Sequence, residues 1–154
     1  MGSNKIVNRS ELRDIILRLK KDGRKVVFTN GCFDLIHVGH VRYLSEAKKL
    51  GDILVIGLNS DGSVSRIKQG RPIVPEGERA EVLSAMSVVD YVTLFEEDTP
   101  YELLREIRPD VLVKGADWKV EDIIGKDLVV EVHTIPFVPG RSTSEIIRKI
   151  KELS

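Results

Sequence analysis

Five short runs rich in β-branched and aromatic residues recur along this chain, at 25–30 (KVVFTN), 52–59 (DILVIGLN), 90–95 (DYVTLF), 111–114 (VLVK) and within 126–135 (KDLVVEVHTI), and stretches of helical periodicity separate them. A strand that returns parallel to its neighbour needs a crossover of a dozen or more residues, and a helix usually supplies it. Runs as apolar as ILVIGL and VLV leave no polar face for water, so both sides of the sheet must be covered. Strands alternating with helices therefore predict an α/β fold with a parallel sheet between two helical layers. Right-handed crossovers make it doubly wound, a Rossmann-like sandwich of about five strands.

Helix boundaries can be read in the same way. Asn8 followed by Glu11 is a capping-box pattern, Leu12, Ile15, Ile16 and Leu19 recur at helical spacing, and Gly23 stops a helix over 8–22. A second helix runs from Val38 to Leu50 and ends at Gly51. A short one is expected over 60–65 and a longer one from Glu76 to Met86. In EEDTPYELLREIRPD, Asp98 or Thr99 serves as cap, Pro100 sits in the first turn and Pro109 lies beyond the end. The closing helix lies in RSTSEIIRKIKEL, where Ser142 and Glu145 make an S-x-x-E box. No repeat, low-complexity tract or linker interrupts the series, so residues 1–154 read as one domain.

Composition narrows the function classes. Twenty-four Lys and Arg residues balance twenty-four Asp and Glu, so no net field favours nucleic acid or anionic membranes. No apolar run approaches the ~20 residues of a membrane span. The start, MGSNKIVNRS, lacks the apolar stretch of a signal peptide, and Ile6 stands where a myristoylation motif wants Ser or Thr. One cysteine excludes an internal disulfide framework and fits a reducing compartment. These features predict a soluble cytoplasmic protein acting on small molecules.

In a doubly wound sheet ligands bind outside the carboxyl ends of the strands, at the switch point. The loops after 25–30, 52–59, 90–95 and 111–114 are expected to converge there. The first holds Asn30, Gly31, Cys32, Phe33, Asp34, His37 and His40. Positions i and i+3 share a helix face, so His37 and His40 are able to reach one ligand, with Gly39 between them permitting close backbone approach. The helix start adds free N–H groups and partial positive charge suited to phosphate. A transition-metal pair and a pair of structural histidines are the alternatives.

A second group is Arg66, Lys68, Arg71 and Arg79, four cations within fourteen residues, interrupted by Gly70, Pro72 and Pro75. It reads as a mobile clamp on a polyphosphate or as a solvated charged loop. In VKGADW, Lys114 is placed to reach phosphate, Gly115 permits close approach, and Asp117 is able to receive a hydroxyl. Trp118 lines a base or sugar pocket or belongs to the core. Arg141, Ser142, Thr143 and Ser144 bring one cation and three hydroxyls to the last helix start. A plain capping box explains Ser142 and Glu145 alone.

GCFDLIHVGH resembles the G-x-F-D…H-x-G-H signature of the cytidylyltransferase-like nucleotidyltransferases, and RSTSEII is similar to that family's I/C-S-T-T-x-I segment. Both motifs at opposite ends of one α/β domain are far more specific than either alone. NSDGSVSRIKQGRPIVP, EGER, FEEDTP and RPDVLVKGADW resemble the branch that acts on D-glycero-β-D-manno-heptose 1-phosphate. Departures are Cys32, where some relatives have Thr, Ser144 in place of the second Thr, and a shortened segment after GADW.

The resemblance implies transfer of the adenylyl group of ATP to that heptose phosphate, giving ADP-heptose and pyrophosphate for the lipopolysaccharide inner core. It implies His37, His40 and Lys68 as catalytic residues. Asn30, Gly31, Cys32, Phe33, Asp34, Gly39, Arg71, Arg79, Lys114, Gly115, Asp117, Trp118, Arg141, Ser142, Thr143 and Ser144 would bind the nucleotide. Mg²⁺ would be held mainly by the phosphates rather than by protein ligands, with Asp34 its likeliest neighbour. A homodimer and a heptose kinase on a separate chain are further implications. The rival readings are a glycerol-3-phosphate cytidylyltransferase and a non-catalytic nucleotide sensor. A dehydrogenase is disfavoured, because no G-x-G-x-x-G follows the first strand.

Overall fold

The computed structural model describes residues 4–154, so the Met-Gly start weighed above against myristoylation lies outside the described residues. The chain forms α1 (Arg9–Lys21), β1 (Val26–Gly31), α2 (Val38–Lys48), β2 (Ile53–Asn59), α3 (Asp61–Ile67), α4 (Glu76–Ser84), β3 (Tyr91–Phe95), α5 (Tyr101–Ile107), β4 (Val111–Gly115), β5 (Glu131–Ile135) and α6 (Thr143–Glu152). Two single-turn 3₁₀ helices, Val120–Asp122 and Lys126–Leu128, fill the connection from β4 to β5. All strand pairings are parallel and the order is β3-β2-β1-β4-β5. The doubly wound α/β sheet expected from the alternation is the one found.

Successive strand residues point to opposite faces, which builds two cores. On one face Leu44 and Ala47 of α2 and Ala80 and Leu83 of α4 pack with Val27, Leu54, Ile56 and Val113. On the other Leu12 and Ile16 of α1 and Leu103, Leu104 and Ile107 of α5 pack with Val26, Phe28, Val55 and Leu112. Each fully buried aliphatic side chain contributes about 1.5–3 kcal/mol. β2, the run with no polar face, is buried along its whole length. No helix of the described residues is long and apolar enough to cross a membrane.

Several boundaries differ from the sequence expectation. α5 is capped at Pro100 without a side-chain bond, because Asp98 instead accepts from Arg66 Nε at 2.8 Å. Thr99 Oγ1 lies 3.4 Å from the Tyr101 N–H, one residue inside the helix. Ser142 Oγ accepts from Glu145 N–H at 3.1 Å, but the Glu145 carboxylate turns to Arg148 at 2.7 Å, so only half of the box forms. The short helix α3 runs on to Ile67, which makes Lys68 its C-cap.

The topology opens a crevice. β1 pairs with β2 as far as Gly31–Leu58, but its pairing with β4 stops at Thr29–Val113. Beyond that point the two strands part, and their following loops diverge to opposite sides of the sheet. This is the switch point at which doubly wound folds bind ligands.

Candidate active site

A cavity of about 470 Å³ occupies that crevice. Asn30, Gly31, Cys32, Phe33 and Asp34 after β1 line it, with His37, Gly39 and His40 at the start of α2. Lys68 and Arg71 come from the basic loop, Lys114, Gly115, Asp117 and Trp118 from the end of β4, and Arg141, Ser142, Thr143 and Ser144 from the start of α6. The approaches to α2 and α6 meet here. Thr143 Oγ1 donates to Leu35 O at 3.1 Å, and a Cβ built on Gly39 would lie 3.4 Å from Arg141 O.

The histidines cap one another's helix. His37 Nδ1 accepts from Gly39 N–H at 3.0 Å, and His40 Nδ1 accepts from the His37 N–H at 3.3 Å, a reciprocal box with ring centroids 4.0 Å apart. An Nδ1 that accepts carries no proton, so in each neutral ring the proton resides on Nε2. Burial, then the charges of His37 and Lys68, push His40 down to about 4. Burial, then Arg141, also lowers His37. Both rings are neutral at pH 7 with an Nε2–H donor. The structural and ligand-facing readings of this pair therefore hold together.

Gly39 has a different purpose from the one expected. A Cβ there would lie 2.7 Å from His37 Cε1, so the missing side chain makes room for the imidazole. The Gly39 N–H is also occupied by that ring, not free for a phosphate. Gly115 is similar: a Cβ would lie 2.5 Å from Phe137 Cζ, so its space is taken by an aromatic ring.

Arg79 does not line the cavity. Its side chain is fully buried, with Nε donating to Val74 O at 2.8 Å, Nη1 to Cys32 O at 2.6 Å and Asn59 O at 2.9 Å, and Nη2 to Asp61 at 2.8 Å. The helical step that follows the basic loop turns it into the core rather than toward phosphate. Arg66 points away too, to Asp98 and the Glu96 carbonyl. Asp34 accepts from the N–H groups of Ile73 and Val74 at 2.9–3.0 Å, so its oxygens anchor the basic loop instead of standing free for Mg²⁺. Among the described residues no three His, Cys, Asp or Glu side chains gather in a way that could hold a metal ion.

The loop after β3, expected to converge here, supplies none of the lining residues. It is drawn aside by Ser63 Oγ, which donates to Glu97 O at 2.7 Å, and by the Arg9–Glu97 ion pair at 2.8 Å. Sequence reading missed Tyr43, Val64, Phe137 and Val138, which do line the cavity. Tyr43 was within reach, because it continues the three-residue spacing of His37 and His40. Its hydroxyl lies 2.8 Å from Thr29 Oγ1 and 3.2 Å from Val113 O, and burial pushes it up to about 12. Phe137 carried no local signal, since its place depends on the gap at Gly115.

Comparison with known proteins places this geometry. The Cytidylyltransferase-like family model matches residues 28–149. Among curated proteins, "Bifunctional protein HldE" of Wolinella succinogenes is 53% identical over 151 residues, 97% of this chain and 32% of that protein. "Bifunctional protein HldE" of Trichlorobacter lovleyi is 53% identical over 156 residues, 98% of this chain and 32% of that protein. The chain thus spans about a third of the length of these curated relatives. Among solved structures, the lipopolysaccharide core biosynthesis protein from Thermoplasma volcanium aligns with a TM-score of 0.66 and 33% identity, over 75% of this chain and 99% of that one.

Proposed function

The chain belongs to the cytidylyltransferase-like family, and from that premise we propose that its cavity is the active site of a nucleotidyltransferase that moves the adenylyl group of ATP to D-glycero-β-D-manno-heptose 1-phosphate. The observation that carries this reading is the meeting of a neutral histidine pair, the cations Lys68, Arg71 and Arg141, and the hydroxyls of a second helix start in one crevice. The heptose acceptor is supported by the likeness to HldE proteins and to a lipopolysaccharide core biosynthesis protein.

An oxygen of the acceptor phosphate attacks the α-phosphorus, the bond from that phosphorus to the bridging oxygen breaks, and pyrophosphate leaves with the electron pair. The attacking phosphate is already ionised at pH 7, its second pKa being about 6, so no side chain need remove a proton. What remains is alignment and stabilisation of charge. The Nε2–H groups of His37 and His40 donate to phosphate oxygens. Ser142 accepts from Glu145 N–H yet keeps its own proton for a phosphate, whereas Thr143 has given its proton to Leu35 O. Lys68 and Arg71 offset the negative charge from the basic loop.

Mg²⁺ on the triphosphate would withdraw charge and favour the leaving group. On this reading the ion would be held by the nucleotide phosphates and water, since Mg²⁺ usually keeps several waters rather than a full protein cage. A homodimer and a cytoplasmic location belong to the same reading. Ile150 on α6 and Leu153 at its C-cap, 57% and 84% exposed, offer apolar surface to a second copy.

The decisive experiment is pyrophosphate release with ATP, CTP, GTP and UTP against a panel of sugar and polyol phosphates. ATP with the heptose 1-phosphate is the expected pair. CTP with glycerol 3-phosphate as the preferred pair would replace the substrate assignment. Tight ATP binding without release under any acceptor would make the chain a sensor.

A further inference from the structure

The first turns of α2 carry the histidine pair, yet apolar packing anchors them weakly. Val38 and Val41 are 40% and 43% exposed, and the first fully buried side chain of the helix is Leu44. The capping bonds of His37 and His40 join the helix start only to itself. Tyr43 continues the three-residue spacing and so lies on the same helix face as His40. Its hydroxyl reaches the sheet, 2.8 Å from Thr29 Oγ1 and 3.2 Å from the Val113 carbonyl.

Thr29 and Val113 are the last pair at which β1 and β4 stay in register. Thr29 is fully buried, with Oγ1 3.0 Å from Val113 O, so side-chain bonds take over where the main-chain pairing ends. Two hydroxyls bring two protons to this cluster. Whichever of them donates in the 2.8 Å contact, the other serves the Val113 carbonyl. No proton is left over for a phosphate oxygen, although Tyr43 lines the cavity. Burial pushes the phenol up to about 12, so it stays neutral at pH 7 and the cluster keeps both protons.

We propose that Tyr43 is a positioning residue of the reaction: through Thr29 and the Val113 carbonyl it fixes the histidine-bearing start of α2 at the point where β1 and β4 part. This rests on the nucleotidyltransferase reading above. Val113 precedes Lys114, so the same cluster sets the spacing between the imidazoles of α2 and the ammonium at the end of β4. A misplacement of about 1 Å between such groups is enough to cost on the order of a hundredfold in rate. Removing the Tyr43 hydroxyl takes no donor from the ligand; it loosens the donors that remain.

Tyr43→Phe and Thr29→Val each remove one hydroxyl and nearly keep the packing volume. Each should lower kcat by about ten- to a hundredfold with the KM for ATP within about threefold. The two together should cost no more than the worse one alone, since they break one cluster. Thr29→Ser, which keeps Oγ, should recover most of the loss. In the ligand-free protein the imidazole ¹⁵N signals of His37 and His40 should move in Tyr43→Phe and Thr29→Val and return toward wild type in Thr29→Ser. The proposal is overturned if kcat is unchanged, if only the KM for ATP rises, if the two losses multiply, or if kcat falls while the imidazole signals stay in place. Should Thr29→Val fail to fold, Tyr43→Phe decides alone. If the wild-type protein releases no pyrophosphate with any acceptor, the earlier reading fails, and the imidazole signals, which need no turnover, decide this one.

Discussion

Asp34 and Arg79 hold Val74 between them: the carboxylate accepts its N–H at 2.9 Å and the guanidinium donates to its carbonyl at 2.8 Å. Arg79 also reaches back to the Cys32 carbonyl, two residues before Asp34, which closes a ring between the β1 loop and the basic loop. Both side chains are buried, at 6% exposure for Asp34 and 1% for Arg79. The cations Lys68 and Arg71 hang on the segment this clasp fixes.

Removing the guanidinium takes the donor from the carbonyls of Val74, Cys32 and Asn59, the last of them buried, and from the half-exposed Asp61 carboxylate. Arg79→Met is therefore expected to lower stability by about 2–4 kcal/mol, chiefly from carbonyls left without a donor. Urea unfolding reads this directly. A normal unfolding midpoint with lost turnover would instead restore the contact with phosphate that the sequence suggested.

The histidines have two separable roles. His37→Ala and His40→Ala should each lower turnover by about 10²–10³-fold, the usual loss for one transition-state donor. Each should also weaken the α2 start by about 0.5–2 kcal/mol, since a cap is lost. Asn is a good cap but has no imidazole, so His37→Asn should recover stability and not turnover. If it recovers both, the ring serves the helix alone.

Protonation of His40 works against the fold. In the unfolded chain its pKa is the ordinary 6.5, and in the native protein burial lowers it to about 4. Between these values the unfolded chain binds the proton and the native protein does not, so stability falls as pH drops from about 6.5 to about 4. The loss is on the order of 2 kcal/mol after allowing for solvent screening of a partly exposed ring. Unfolding curves across that range should be flatter for His40→Asn. Triphosphate binding opposes the shift, so calorimetry in two buffers of different ionisation enthalpy should show proton uptake. Identical heats, after correction, would place the phosphates away from the pair.

Most of the scaffold was legible because it follows from period and punctuation. Runs such as ILVIGL permit only a strand covered on both faces, and Gly23 and Gly51 mark helix ends. The carboxyl-end rule then brought His37, Lys114 and Ser142 to one crevice though they lie far apart in sequence. Direction was harder to read. Whether a cation near a loop faces ligand or core depends on neighbours distant in the chain, and for Arg79 these are the carbonyls of Cys32 and Asn59. The same limit hid Phe137, whose position is set by Gly115 across the β4–β5 edge.

Gly39 gives the sharpest separation between local geometry and ligand contact. A methyl group at this position would stand 2.7 Å from His37 Cε1 and 2.9 Å from its Nδ1, so the imidazole has to swing off the Gly39 N–H. Ala itself suits the helix interior better than Gly, by roughly 0.5–1 kcal/mol, which offsets part of the lost cap. Gly39→Ala should therefore leave the unfolding midpoint nearly unchanged while turnover falls toward the His37→Ala level. Its ¹⁵N spectrum should show the His37 tautomer released from the Nε2–H form, because the acceptor role of Nδ1 is gone. If the spectrum keeps the wild-type His37 tautomer and only the Michaelis constant for ATP rises, the glycine is there for the ligand's approach, and the capping account of this helix start fails.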